Sequence, residues 1–132
     1  MHWHSKKKQE MSGIDFIADT NFIIHLNEGN PLVEPFLDYE FAVSFISEIE
    51  LLGAFSISKS KKAQLHDILK DCAIVEMNSE IKHICIKIRQ QYKMKVPDAI
   101  IAATAIVLNK SLVTSDRDFE KIKELDLIFI EK

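Results

Sequence analysis

The sequence predicts an α/β domain in which a mostly parallel sheet is covered by helices on both faces. Two observations predict it. Short apolar runs of strand length alternate along the chain with segments whose apolar residues recur at helical spacing. The chain has 132 residues, the size of one domain, and 47% of them are hydrophobic, enough for a sizeable core. No internal repeat, linker or low-complexity stretch interrupts the pattern.

Residues 1–13 are polar, carry Lys6, Lys7 and Lys8, and lack the apolar stretch of a signal peptide. They are expected to form a flexible N-terminal extension, with 14–132 as a single domain. Ile14 to Ala18 reads as a buried strand that stops at Asp19. Thr20 and Asn21 are expected to open a short helix through Phe22 and Leu26, which Glu28, Gly29, Asn30 and Pro31 terminate. A second short helix covers Leu32 to Leu37. Phe41 to Ile46 is the second strand. Ser47 is then expected to cap a helix through Leu52, and Ser47 with Glu50 has the S-x-x-E spacing of a capping box.

Lys59 to Lys62 is a basic loop or helix start, and Ala63 to Lys70 reads helical. Ala73 to Met77 is the third strand. Ser79 is expected to cap an amphipathic helix with Ile81, Ile84, Cys85 and Ile88 on one face. Pro97 suits the first turn of the next helix. From Ala99 to Leu108 that helix is apolar almost all round, so it belongs at the centre of the protein, and Asn109 ends it. Ser111 to Thr114 is the fourth strand. Ser115 to Asp118 leads into a short helix with Phe119 and Ile122, and Leu127 to Ile130 is the last strand.

The net charge is −3. A metal-free nucleic-acid binder is usually basic. Either nucleic acid is not the ligand, or divalent cations supply the missing positive charge. Cys72 and Cys85 match no metal or redox spacing and sit among apolar residues, which reads as free thiols in a reducing, cytoplasmic setting. No apolar run is long enough to span a membrane.

The chain has 20 acidic residues, so only their placement separates a few of them. In open α/β sheets, ligands bind at the carboxyl ends of the strands. Asp19 ends the first strand, Glu50 lies a turn beyond the second, and Asp116 and Asp118 follow the fourth. Asp98 opens the central helix. Each has a purely structural alternative: Asp19, Asp116 and Asp118 as helix caps, Glu50 as the second member of the capping box, Asp98 as a partner of the helix dipole. Together at one sheet edge they would oppose one another's ionisation, and bound cations would offset that repulsion. Oxygen-only ligands suit Mg2+ or Mn2+, which can activate water for attack on a phosphate.

Four ordered segments resemble the motifs of PIN-domain nucleases, and in particular of VapC-type toxins. They are Ala18 to Ile24 with its D-T-N, Ser44 to Gly53, Pro97 to Ala105, and Leu112 to Phe119. The resemblance runs from Ile14 to Ile130. It implies a PIN-like three-layer fold with about five strands, and a Mg2+- or Mn2+-dependent endoribonuclease that leaves a 5′-phosphate and a 3′-hydroxyl. Matched motif by motif, Asp19, Glu50, Asp98 and Asp116 would be catalytic metal ligands, with Asp118 auxiliary. Glu48 competes with Glu50, but it lies about 200° round the helix, so both cannot face one ion. Asn21, Thr114 and Ser115, with Thr20 and Ser47, are polar groups able to orient the acids. The implied partners are RNA, a VapB-type antitoxin and a second copy of the chain.

Lys59, Lys61 and Lys62, or Lys93 and Lys95, are candidate phosphate contacts, with a solvated face as the default. Phe22, Ile23, Leu26 and the apolar positions of Leu51 to Ile57 are candidate partner contacts. Two other functions compete. One is a receiver- or phosphatase-like domain with Asp19 as phosphoryl acceptor, although Asn21 stands where a phosphatase would carry its second Asp. The other is a PIN-like binding module without catalysis, against which the retained acids argue.

Overall fold

The computed structural model describes residues 13–131. The expected extension therefore lies, but for Gly13, outside the described residues. Five short strands form one sheet: β1 (Phe16–Ala18), β2 (Phe41–Ser44), β3 (Ala73–Val75), β4 (Ser111–Thr114) and β5 (Leu127–Phe129). Their order is β3-β2-β1-β4-β5, and every neighbouring pair is parallel. In register, Ile17 of β1 lies between Ala42 and Leu112.

Helices α1 (Thr20–Asn27), α2 (Phe45–Leu52), α3 (Lys59–Lys70), α4 (Ser79–Gln91) and α5 (Val96–Leu108) connect the strands, with 3-10 turns at Pro31–Phe36 and Arg117–Lys121. The period-two pattern of the strands sorts the core into two layers. Ile17, Ala42 and Leu112 face one side and pack with α4, α5 and Phe119. Phe16, Ala18, Val43 and Val113 face the other and pack with Phe22 and Ile23 of α1, Leu51 of α2, and Leu65 and Leu69 of α3. Helix α5 is buried over most of its length, and its alanines let the backbone lie close to the sheet. This is the three-layer arrangement expected from the sequence.

Two helix starts differ from expectation. Ser44, not Ser47, caps α2: its hydroxyl accepts from the Ile46 N–H at 3.2 Å. Strand β2 ends where its pairing with Val75 ends, and the chain turns into helix at once. Ser47 therefore falls inside the first turn, fully buried, and the capping box with Glu50 does not form. Asn78, not Ser79, caps α4 by accepting from the Ile81 N–H at 2.8 Å. Helix α1 opens at Thr20 as expected, and Asp19 caps it, the structural alternative that the sequence offered for that acid. Ordinary turn chemistry accounts for the shifts at α2 and α4; the Asp19 cap belongs to the site.

Candidate active site

From β1 the chain runs toward β2 and β3, and it later enters β4 on the opposite side of β1. The connections diverge at the carboxyl ends of β1 and β4, where such sheets open a crevice. Asp19 directly follows β1, and Asp116 lies two residues beyond β4.

Asp19 is buried, and each of its carboxylate oxygens accepts one hydrogen bond. Its Oδ1 accepts from the Phe22 N–H at 2.8 Å, which caps α1, and its Oδ2 accepts from the Thr114 hydroxyl. The Phe22 ring meets Phe16 of β1 edge to face at 5.5 Å, so the cap and the core fix the same turn. Thr114 Oγ1 in turn accepts from the Asp116 N–H at 3.0 Å. Thr114 thus ties the first acid to the backbone of the fourth. Asp116 Oδ1 accepts from the Asp118 N–H at 2.9 Å and starts the following 3-10 turn.

Glu50 comes from α2. Its Oε1 lies 2.7 Å from the Thr20 hydroxyl, which is also 2.9 Å from Ser47 Oγ. A hydroxyl has one proton, so Thr20 donates to the carboxylate and accepts a hydrogen bond from the Ser47 hydroxyl. The burial of Ser47, which removed it as a cap, makes it the anchor of this chain. Asp98 sits in the first turn of α5, favoured there by the helix dipole.

One pocket of about 200 Å3 is lined by Asp19, Thr20, Asn21, Glu50, Asp98, Ile101, Asp116 and Phe119. All four expected acids are in it, together with Asn21. Glu48, Ser115 and Asp118 are not in its lining, and Thr114 acts from behind it through Asp19. Asp118 points instead to Lys121, with Oδ1 3.3 Å from Nζ. Sequence reasoning missed Ile101 and Phe119 as walls. Ile101 was findable as the residue three positions after Asp98 on the same helix face. Phe22 and Ile23, expected as partner contacts, are buried in the core and unavailable for docking. In the Leu51 to Ile57 region, Phe55 is almost wholly exposed, whereas Leu51 is core. Lys59, Lys61, Lys62, Lys93 and Lys95 stand outside the pocket lining.

The electrostatics reflect crowding. Burial raises the Asp19 carboxyl to about 6, against the opposing bonds from Thr114 and Phe22, and the charges of Asp116 and Asp98 add to the rise. Asp98 is raised too, first by burial and then by Asp116, Glu50 and Asp118, with Lys95 opposing. The donors are carboxylate oxygens, the set that suits a hard divalent cation. Among the described residues, no three His, Cys, Asp or Glu side chains converge closely enough to share one ion directly. The acids line a pocket rather than close a cage.

Residues 16–125 match the family model of the PIN domain. No curated protein matches the sequence. Among solved structures, a toxin–antitoxin complex from Klebsiella pneumoniae contains a chain 28% identical, with a TM-score of 0.77 over 89% of this chain and 100% of that one. VapBC2 from Rickettsia felis, bound to a DNA fragment from its promoter, has a chain 22% identical with a TM-score of 0.79, covering 89% and 100%. VapBC-1 from nontypeable Haemophilus influenzae gives 23% identity and a TM-score of 0.77, covering 88% and 98%. The last two likenesses speak to the fold.

Proposed function

This chain belongs to the PIN-domain family, and we propose that it is a divalent-metal-dependent endoribonuclease, the toxin of a VapBC-type pair. The observation that carries this reading is the pocket at the sheet's switch point, which gathers Asp19, Glu50, Asp98 and Asp116 from four separate parts of the chain. These four would hold Mg2+ or Mn2+. Bound there, the cation supplies an activated water and neutralises charge on the phosphate.

The protein's own part is placement. Thr114 and the Phe22 N–H fix both oxygens of Asp19. Thr20, backed by Ser47, aims Glu50. Ile101 and Phe119 add apolar side chains to the pocket lining. Cations held by these acids would offset the net charge of −3 that otherwise opposes RNA phosphates. Phosphoryl acceptance by Asp19 is disfavoured, because Asn21 stands where a phosphatase would carry its second Asp.

Likeness to the Klebsiella toxin–antitoxin complex supports an antitoxin as partner, of VapB type by the motif resemblance. A homodimer and a cytoplasmic setting complete the reading. Among the described residues no helix is long and apolar enough to cross a membrane, and Cys72 and Cys85 are free thiols. Expression with and without a co-expressed antitoxin, followed by mapping of RNA ends, tests the reading. New ends with 5′-phosphates should accumulate only without the antitoxin. An unchanged RNA pool in both cultures would contradict it.

A further inference from the structure

Asp98 and Asp116 lie on segments that are not covalent neighbours, yet the pocket needs both. The turn before α5, residues 92–95, meets the segment 118–124 after Asp116 through side chains outside the pocket lining. Lys121 Nζ donates to the Lys93 carbonyl at 2.9 Å and lies 3.3 Å from Asp118 Oδ1. The Tyr92 hydroxyl donates to Glu124 Oε1 at 2.8 Å and accepts from the Lys123 N–H at 3.4 Å. The turn is also held from its own side. Tyr92 packs against the core, Met94 is buried, and Arg89 Nε donates to the Met94 carbonyl at 3.3 Å.

We infer that Tyr92, Lys121 and Asp118 form a strap that sets the separation of Asp98 and Asp116, and that Asp118 is a positioning residue rather than a metal ligand. Asp118 fixes the Lys121 ammonium, Lys121 fixes the Lys93 carbonyl, and the short turn transmits that position to the first turn of α5. Each exposed contact alone is weak. They act together on one four-residue turn, and the acids they space repel one another, so the pocket has little tolerance for drift. This inference rests on the metal-site reading above and deepens it.

The test is Mn2+ binding to the full chain, read from the paramagnetic resonance signal of free Mn2+, with no dependence on nuclease activity. Tyr92→Phe, Lys121→Met and Asp118→Asn should each weaken binding about three- to tenfold, at or below the low end for groups that orient metal ligands. Asp118→Asn should add little in the Lys121→Met background, because the two residues work through one pair. Lys121→Arg, which keeps the charge and donors, should bind as wild type does and controls for folding. Loss of binding with Asp118→Asn but wild-type affinity with Lys121→Met would make Asp118 a direct ligand and overturn the strap. So would wild-type affinity in all three variants. Absence of saturable Mn2+ binding by the wild-type chain would instead overturn the metal site, and the strap's role with it.

Discussion

At the residue scale, Asp19 holds two roles at one carboxyl group. Oδ1 caps α1 and Oδ2 receives the Thr114 hydroxyl, while burial lifts the group to about 6. A folded-state value above the ordinary carboxylate range stabilises the protein most at low pH. That contribution is lost as pH rises through the folded value. In chelator, wild type should therefore lose about 1–2 kcal/mol more stability between pH 5 and pH 8 than Asp19→Asn, which keeps a capping oxygen but cannot ionise. Denaturant titrations at the two pH values measure this. Equal losses in both proteins would show that Asp19 ionises freely in the folded chain. Thr20 has the parallel role for Glu50. Thr20→Val preserves shape and removes the donor. The expected outcome is an approximately tenfold fall in kcat, read by steady-state cleavage of an RNA substrate, with a loss of about 1–3 kcal/mol in stability because buried Ser47 loses its partner.

At the scale of elements, α2 brings Glu50 to the pocket and must stop soon after it. Gly53 ends the helix with its N–H on the Ile49 carbonyl at 2.8 Å, and an added Cβ would lie 2.6 Å from that same oxygen. Gly53→Ala should destabilise the fold by about 1–3 kcal/mol, measured by chemical denaturation. A change below a few tenths would mean that the helix end shifts freely. Elements with a strong pattern were legible in the sequence. Helix α5 announced itself by an unbroken apolar run, and β4 by four residues bounded by Lys110 and Ser115. Helix starts were less legible, because Ser44 and Ser47, or Asn78 and Ser79, are equally good caps. The choice between them falls to strand register, a long-range property that no local window contains.

At the scale of the whole molecule, the parallel order β3-β2-β1-β4-β5 turns four acids scattered over nearly a hundred positions into one site. The acids themselves were readable from their places after strands and at a helix start. Their wiring was not: the Thr114 bridge and the Thr20–Ser47 chain join residues that only the folded sheet brings together. The motif match had favoured Asp116 over Asp118, and the fold puts the first in the pocket lining and the second against Lys121.

The measurement that bears most directly on this site is cleavage of structured RNA by purified wild type, Asp19→Asn and Asp98→Asn across a Mg2+ titration, with folding of each checked by thermal melting. Wild type should cut in a Mg2+-dependent manner and stop in excess chelator, and both variants should stay folded and lose at least a hundredfold in rate, on the order of 3 kcal/mol in the barrier. Full cleavage by either folded variant, or cleavage by wild type unaffected by chelator, would contradict the carboxylate pocket as the seat of the reaction.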